Sequence, residues 1–248
     1  MSSPKFYENK EVQKTMGETL RPGGLETTER ALGFCKFKQR DMLLDLGCGK
    51  GRTIKYVWDN YHINMWGLDI SEKLVREARE LNKDSQIFLS SGEDTPFEDK
   101  KFDGVFAECT LSLMDNLEIT INEVNRIMKT DGFLVISDIY AKNTEYLPEL
   151  KNFNLDTCLK RPHSIDALMN LLKDKGFKVL LHENHDNFIM QLVGDIIFGY
   201  GSMENFFGCG GGNCIDGKKF NEILKKSKIG YFLMIAQKEE SNVRGYSF

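Results

Sequence analysis

No run of apolar residues in this 248-residue chain is long enough to span a bilayer, and the opening residues MSSPKFYENK lack the apolar stretch of a signal peptide. Positive charge is not in surplus either. The 33 lysines and arginines are outnumbered by 37 aspartates and glutamates, so no sequence-wide field draws the chain to nucleic acid or to an anionic membrane. Internal repeats and low-complexity tracts are missing as well. These absences leave a cytoplasmic globular protein as the expectation, without nucleic-acid or membrane partners, and nothing in the sequence fixes its oligomeric state. In the cytoplasm the six cysteines should be reduced, and so inert, metal-binding or reactive rather than disulfide-bonded. With 41% hydrophobic and 28% charged residues the composition is ordinary, and the length suits one α/β domain with insertions.

What is present is organised around residues 41–69. A short apolar run at 42–46, interrupted only by Asp45, leads into Gly47-Cys48-Gly49-Lys50-Gly51; a helical stretch follows, then a second apolar run at 63–68 closed by Asp69. Strand, glycine loop, helix, strand and acid make a βαβ unit that binds a nucleoside-like cofactor at the carboxyl ends of its strands. Glycines let backbone N–H groups approach the ligand, and an acid about 20 residues past the loop suits a ribose diol. A dinucleotide fingerprint would need glycine at 52, where Arg52 stands. Asp45, two residues before the first glycine, would repel a pyrophosphate and attract an ammonium or sulfonium cation. The loop therefore favours a cationic nucleoside ligand over a dehydrogenase coenzyme.

Asp45-Leu46-Gly47-Cys48-Gly49-Lys50-Gly51 resembles the first motif of class I S-adenosylmethionine (SAM)-dependent methyltransferases. The resemblance implies a Rossmann-like α/β fold, a seven-stranded mostly parallel sheet with helices on both faces, with SAM as cofactor and S-adenosylhomocysteine as product. It also implies roles. Asp45, Gly47, Cys48 and Gly49 would serve the amino-acid end, and Asp69 with Ile70 the ribose. Ser91, Gly92 and Glu93 would take the adenine, and Glu108 would end the fourth strand over the cofactor. The segment Ser91-Gly92-Glu93-Asp94-Thr95-Pro96-Phe97 is similar to the family's G-D-A-E-x-L-P-F. It departs at Ser91, which occupies the usual acid position, so that Glu93 or Asp94 would take over; a plain polar turn is the alternative. Phe102-Asp103-Gly104-Val105 matches F-D-x-V, and the run from Arg126 to Leu134 resembles R-x-L-K-P-G-G-x-L.

Periodicity and turn signals supply the other elements. Helices are expected over 25–34, over 72–81 behind a Ser71 cap, over 117–128, over 164–175 and over 188–198. Strands are expected at 86–89, 101–107, 133–136 (after a Thr130-Asp131-Gly132 turn), 176–181 and 231–236. The expected organisation is a helical cover at 1–40, a methyltransferase domain at 41–240 with an insertion between strands six and seven at about 182–230, and a tail at 241–248. The 25–34 helix either helps cover the cleft or simply packs on the sheet.

Cys109 and Cys158 narrow the acceptor. Glu108-Cys109-Thr110-Leu111-Ser112-Leu113 resembles the N-C-V-x-N-L segment of arsenite methyltransferases. Thr157-Cys158 stands where that family has E-C-x-x-G, and Ser137-Asp138-Ile139-Tyr140-Ala141 is similar to its S-D-x-Y/V-A. In that family the two thiolates bind trivalent arsenic beside the methyl donor, consistent with the preference of soft thiolates for soft centres. The family's N-terminal arsenic cysteine has no counterpart here, Cys35 being a poor match. The insertion offers Cys209 and Cys214 as further soft-ligand contributors. A structural zinc on Cys209, Cys214, Cys158 and His163 is a looser alternative, and Cys109 and Cys158 as small buried hydrophobes is the plainest one. The expected function is methyl transfer to a small acceptor, either a thiol-bound metalloid such as arsenite or an ordinary metabolite. A macromolecular target and a SAM-binding module without activity remain as other readings. No general base stands out.

Overall fold

The computed structural model describes residues 5–209 and 215–240. Three helices precede the sheet: α1 (Lys5–Glu8), α2 (Lys10–Met16) and α3 (Glu26–Cys35). The strands β1 (Met42–Leu46), β2 (Asn64–Asp69), β3 (Ile87–Leu89), β4 (Phe102–Glu108), β5 (Met128–Ala141), β6 (Phe177–Asn184) and β7 (Ile229–Lys238) form one sheet in the order β3-β2-β1-β4-β5-β7-β6. Neighbours from β3 to β5 pair parallel, while β7 runs antiparallel to both β5 and β6. Strand order reverses between β1 and β4, which opens a crevice at their carboxyl ends.

Helices α4 (Arg52–Tyr61), α5 (Glu72–Leu81), α6 (Leu117–Ile127), α7 (Leu147–Lys151) and α8 (Ile165–Asp174) connect the strands. Alternate strand residues divide between two apolar layers. Leu44, Leu46, Val105 and Ile136 pack with Ile121, Val124 and Leu168 on one face; Leu43, Phe106, Val135 and Ile235 pack with Leu32, Ile54, Val57 and Val75 on the other. Burial on both faces is what makes these strands read as near-continuous apolar runs. The Ser71 cap is present, its hydroxyl accepting from Leu74 N at 3.2 Å.

Strand five differs from its expectation. It begins at Met128, directly after α6, because Met128 is fully buried and pairs with Phe102. Pairing resumes at Gly104 with Phe133, so the Thr130-Asp131-Gly132 signal is absorbed as a bulge, with Asp131 at φ +63°, and makes no separate turn. Strands six and seven extend past their expected limits of 181 and 236, since the two pair over almost their whole length.

The segment between β6 and β7 folds as α9 (Asp186–Tyr200), α10 (Met203–Cys209) and α11 (Gly217–Ser227). It shares one apolar core with the N-terminal segment: Phe6, Tyr7, Val12 and Leu20 pack with Ile196, Phe206, Phe207 and Phe220. Cover and insertion are thus one cap. Helix α3 is not part of it, since Ala31 and Leu32 bury against the sheet face. A contact between the cap's two parts occurs at Gly23, whose φ is +73° and whose missing Cβ would lie 2.3 Å from the Phe188 ring. Gly23→Ala should therefore lower the unfolding free energy by about 1–2 kcal/mol for the left-handed backbone alone, with the ring clash added. Urea denaturation measures this, and an unchanged midpoint would show that the contact is dispensable.

Candidate functional site

A cavity of about 1270 Å³, counting its mouth, lies at the carboxyl ends of β1, β2 and β4 and under the residues that join α2 to α3. The glycine loop shapes its floor. Gly47 N and Cys48 N both donate to Leu68 O, at 2.7 and 2.9 Å, tying the loop to β2. Gly47 has φ +78°, and a Cβ there would strike the Thr110 side chain at 2.3 Å, so only glycine fits. The Cys48 backbone lines the cavity while its thiol packs into the core against Gly67, where burial pushes it well above the usual thiol range.

Asp69 closes β2 and accepts from Gly49 N and Ser71 N, each at 2.8 Å, one on each carboxylate oxygen. Burial raises its carboxyl, with the backbone amides of Ser71, Gly49 and Ile70 pulling the other way. Each oxygen keeps a lone pair for the cavity. Ile70, Ser91 and Gly92 continue this end of the wall, with Met114 opposite Gly92. Glu93 is not brought to the wall. Its carboxylate accepts from Asn116 N at 2.7 Å, at the start of α6, so it is engaged in positioning that helix. Of the residues expected at the adenine, Ser91 and Gly92 are on the wall and Glu93 is not.

Glu108, at the end of β4, is also on the wall, but its carboxylate is committed. It pairs with Arg21 Nη2 at 2.9 Å and accepts from Thr28 Oγ1 at 2.8 Å and Thr53 Oγ1 at 3.2 Å. Asp45 is 3% exposed, and while its backbone pairs within the sheet, its carboxylate receives no hydrogen bond from any described residue. Burial raises its carboxyl well above the usual range, the neighbouring Glu108 charge raises it further, and the Arg21 guanidinium opposes both.

Cys109, Tyr7, Ser112 and Thr157 line the cavity as well. Cys109 holds φ +54°, a left-handed conformation that costs a non-glycine residue about 1–2 kcal/mol and marks constrained positions. Its thiol lies 3.6 Å from the Tyr231 hydroxyl, which in turn donates to Ser137 Oγ at 3.2 Å. Cys158 opens a one-turn 3₁₀ helix (Cys158–Lys160) that packs against this wall, and its backbone N donates to the Tyr7 hydroxyl at 3.1 Å. The two cysteines share one buried cluster with Ile139, Phe188 and Tyr231. Hydrogen bonding with Cys158, then burial, push the Cys109 thiol well up; burial and the two cysteines do the same to the Tyr7 phenol. Asp138 accepts from Ser112 N, Ser112 Oγ and Ile139 N at 3.0, 2.7 and 2.8 Å and meets His163 Nε2 at 3.3 Å, anchoring the turn after Cys109. His163 is thereby spent on Asp138. No group of three or more metal-ligating side chains occurs among the described residues, and Cys214 and the Cys209 side chain lie outside them.

Sequence reasoning missed Arg21, Tyr7, Thr157 and Tyr231. Only Arg21 carried a local signal, the turn Pro22-Gly23-Gly24 beside it, and that says nothing about burial.

Residues 44–136 match the family model described as a methyltransferase domain. The O-methyltransferase resE of Aspergillus sclerotiorum is 26% identical over 145 residues, 56% of this chain and 55% of that protein. Phosphoethanolamine N-methyltransferase 3 of Arabidopsis thaliana is 22% identical over 190 residues, 73% of this chain and 38% of its own length. Among solved structures, phosphoethanolamine N-methyltransferase 2 of Haemonchus contortus, in complex with S-adenosyl-L-methionine, aligns with a TM-score of 0.73 at 16% identity, over 97% of this chain and 60% of that one. The chain spans about half the length or less of the curated relatives named here. Its architecture is that of the class I SAM-dependent methyltransferases. Within it, residues 44–136 carry the match to a methyltransferase domain, and S-adenosylmethionine is the cofactor of that class.

A buried carboxyl held above its unfolded pKa opposes folding at any pH that forces it to ionise. Asp45→Asn should therefore raise the melting temperature of the ligand-free protein near neutral pH, a gain that shrinks as pH falls into the ordinary carboxylate range. The same substitution should weaken S-adenosylhomocysteine binding by roughly tenfold or more. Melting curves across pH and calorimetry read both, and an unaltered affinity would remove Asp45 from the ligand site.

Proposed function

We propose that this chain is a SAM-dependent methyltransferase whose small acceptor is a soft, thiophilic centre, trivalent arsenic being the example, held by Cys109 and Cys158. The observation that carries the reading is the meeting of these two thiols, from separate segments, in one buried cluster beside the cavity, whose wall Cys109 itself joins. The donor fits the cavity. Asp45 would take its ammonium, the Gly47 and Gly49 backbone its amino-acid chain, Asp69 its ribose hydroxyls, and Ser91 with Gly92 its adenine. When bound, the donor supplies an intrinsically activated methyl group, so the protein chiefly has to align the acceptor with it.

The residues at the acceptor end do three things in this reading. Cys109 and Cys158 bind the acceptor through sulfur and give up their thiol protons as it loads. Tyr231 and Tyr7 orient the two segments, one through the Cys109 thiol and the other through the Cys158 amide. The cap excludes water, and both phenols, Tyr7 in the cap and Tyr231 on β7, are buried. An ordinary small metabolite is the second reading. It is favoured by Thr157, 2% exposed with an unpartnered hydroxyl, and by Lys160, whose nearest carboxylate is 3.9 Å away; both line the same end and neither is needed by a sulfur-held centre. A silent SAM-binding module is the remaining one.

Arsenite turnover with SAM by the purified protein is expected, and Cys109→Ser or Cys158→Ser should each abolish it while leaving S-adenosylhomocysteine binding within about threefold. Turnover that survives both substitutions, or is absent from the wild type, removes the metalloid. Methylated product from a metabolite extract would then support the second reading, and its absence the silent module.

A further inference from the structure

We propose that Thr157 and Lys160 form an anion subsite of the cavity, which takes a carboxylate or phosphate on the acceptor and makes that acceptor a small acid. This deepens the metabolite reading above and rests on it. Thr157 precedes and Lys160 ends the one-turn 3₁₀ helix that Cys158 opens, and Lys160 N donates to Thr157 O at 3.0 Å. Residues three apart eclipse one another in such a turn, and both of these line the cavity. The turn is fixed from two sides. Cys158 N donates to the Tyr7 hydroxyl at 3.1 Å, and Arg161 Nη1 donates to Leu113 O and Met114 O at 3.1 and 2.7 Å.

The charges single out Lys160. Five cations line the cavity: Arg21, Lys50, Arg52, Lys160 and Arg161. Arg21 is paired with Glu108 and Arg161 with Asp115, each at 2.9 Å, and Arg52 is paired with Glu18. Lys50 belongs to the glycine loop, where the donor is assigned. Lys160 is left with Asp156 at 3.9 Å, beyond hydrogen-bond reach, although its side chain is only 19% exposed and that of Asp156 is 51% exposed. A largely buried ammonium with one long, solvent-screened partner has donors to spare. Thr157 is the independent sign. It is 2% exposed, and its Oγ1 is buried without a hydrogen-bond partner among the described residues. A neutral acceptor would use the threonine and leave the ammonium unmatched, and a sulfur-held metalloid needs neither. A carboxylate or phosphate accepts from both.

The opposing view is that Lys160 serves only Asp156. Calorimetry on the protein saturated with S-adenosylhomocysteine, titrated at constant ionic strength with inorganic phosphate and separately with propionate, separates the two. At least one anion should bind. Phosphate alone marks a phosphate ester as the acceptor, propionate alone a carboxylic acid, and both an oxyanion site open to either. Lys160→Met should weaken that binding roughly tenfold or more, and Thr157→Val at least about threefold. Asp156→Asn should tighten it about twofold, because it removes the competing carboxylate. S-adenosylhomocysteine affinity within about threefold of the wild type shows that each variant is folded; if the Lys160 variant is not, the Thr157 and Asp156 variants carry the test. Neither anion bound, or binding unchanged in the variants, overturns the proposal. Methylation of a neutral metabolite by the wild type also overturns it and leaves the metabolite reading standing. Turnover of arsenite with no metabolite methylated removes the reading on which it rests.

Discussion

Burying three carboxylates, Asp45, Asp69 and Glu108, in the wall of one cavity is the constraint from which much of this structure follows. Each carboxylate meets it differently. Asp69 is stabilised by the amides of Gly49 and Ser71, and in accepting from them it also fixes the glycine loop to the end of β2. Glu108 is stabilised by Arg21, Thr28 and Thr53, which ties the cap, α3 and α4 to the end of β4. Asp45 has neither kind of partner for its carboxyl, which burial raises well above the usual range, and it lines the cavity. A buried ion left without hydrogen bonds is costly, so the ligand-free state is strained at that point and a cation relieves it. The preference for a cationic nucleoside comes from that arrangement more than from the loop's shape.

The cap extends the same logic to the acceptor end. Tyr7 arrives from α1 and Tyr231 from β7, and the two meet the segments of Cys158 and Cys109 respectively. The N-terminal segment and the insertion after β6 are far apart in the chain but have one core, with Phe6 and Phe206 packed edge to face at 5.8 Å. Neither short α1 nor α10 could hold its place alone. Loss of packing in either part should therefore be felt at the thiols as well as in the cap.

The parallel half of the sheet and the donor crevice were legible because they are local: Asp45 to Asp69 is one βαβ unit, with its strand, loop, helix and acid in order. The Ser71 cap was equally legible, since a cap is decided within four residues. What was not legible depended on tertiary contact. The Thr130-Asp131-Gly132 signal is a true chain reversal signal, yet burial of Met128 against β4 turned it into a bulge. Glu93 looked like an adenine ligand by position, but the start of α6 claimed it. Tyr231 gave no sign of its contact and Arg21 only the turn beside it, because a residue that reaches a site from another layer has no spacing to betray it.

The acceptor end also bears on whether a base is required. Asp138 and His163 form the obvious acid–base pair near Cys109, and a hard oxygen or nitrogen acceptor would look to them for proton removal. Both are turned away from that task. The Asp138 oxygens take Ser112 N, Ser112 Oγ, Ile139 N and His163 Nε2, and Asp138 is fully buried behind Ser112. The buried groups that reach the cavity there are a thiol, a phenol and hydroxyls, while Asp156 and Lys160, on the same wall, stand 3.9 Å from each other as an ion pair. An acceptor with a lone pair already available at the moment of transfer is the kind such a wall can serve, and a trivalent centre held by two sulfurs has one.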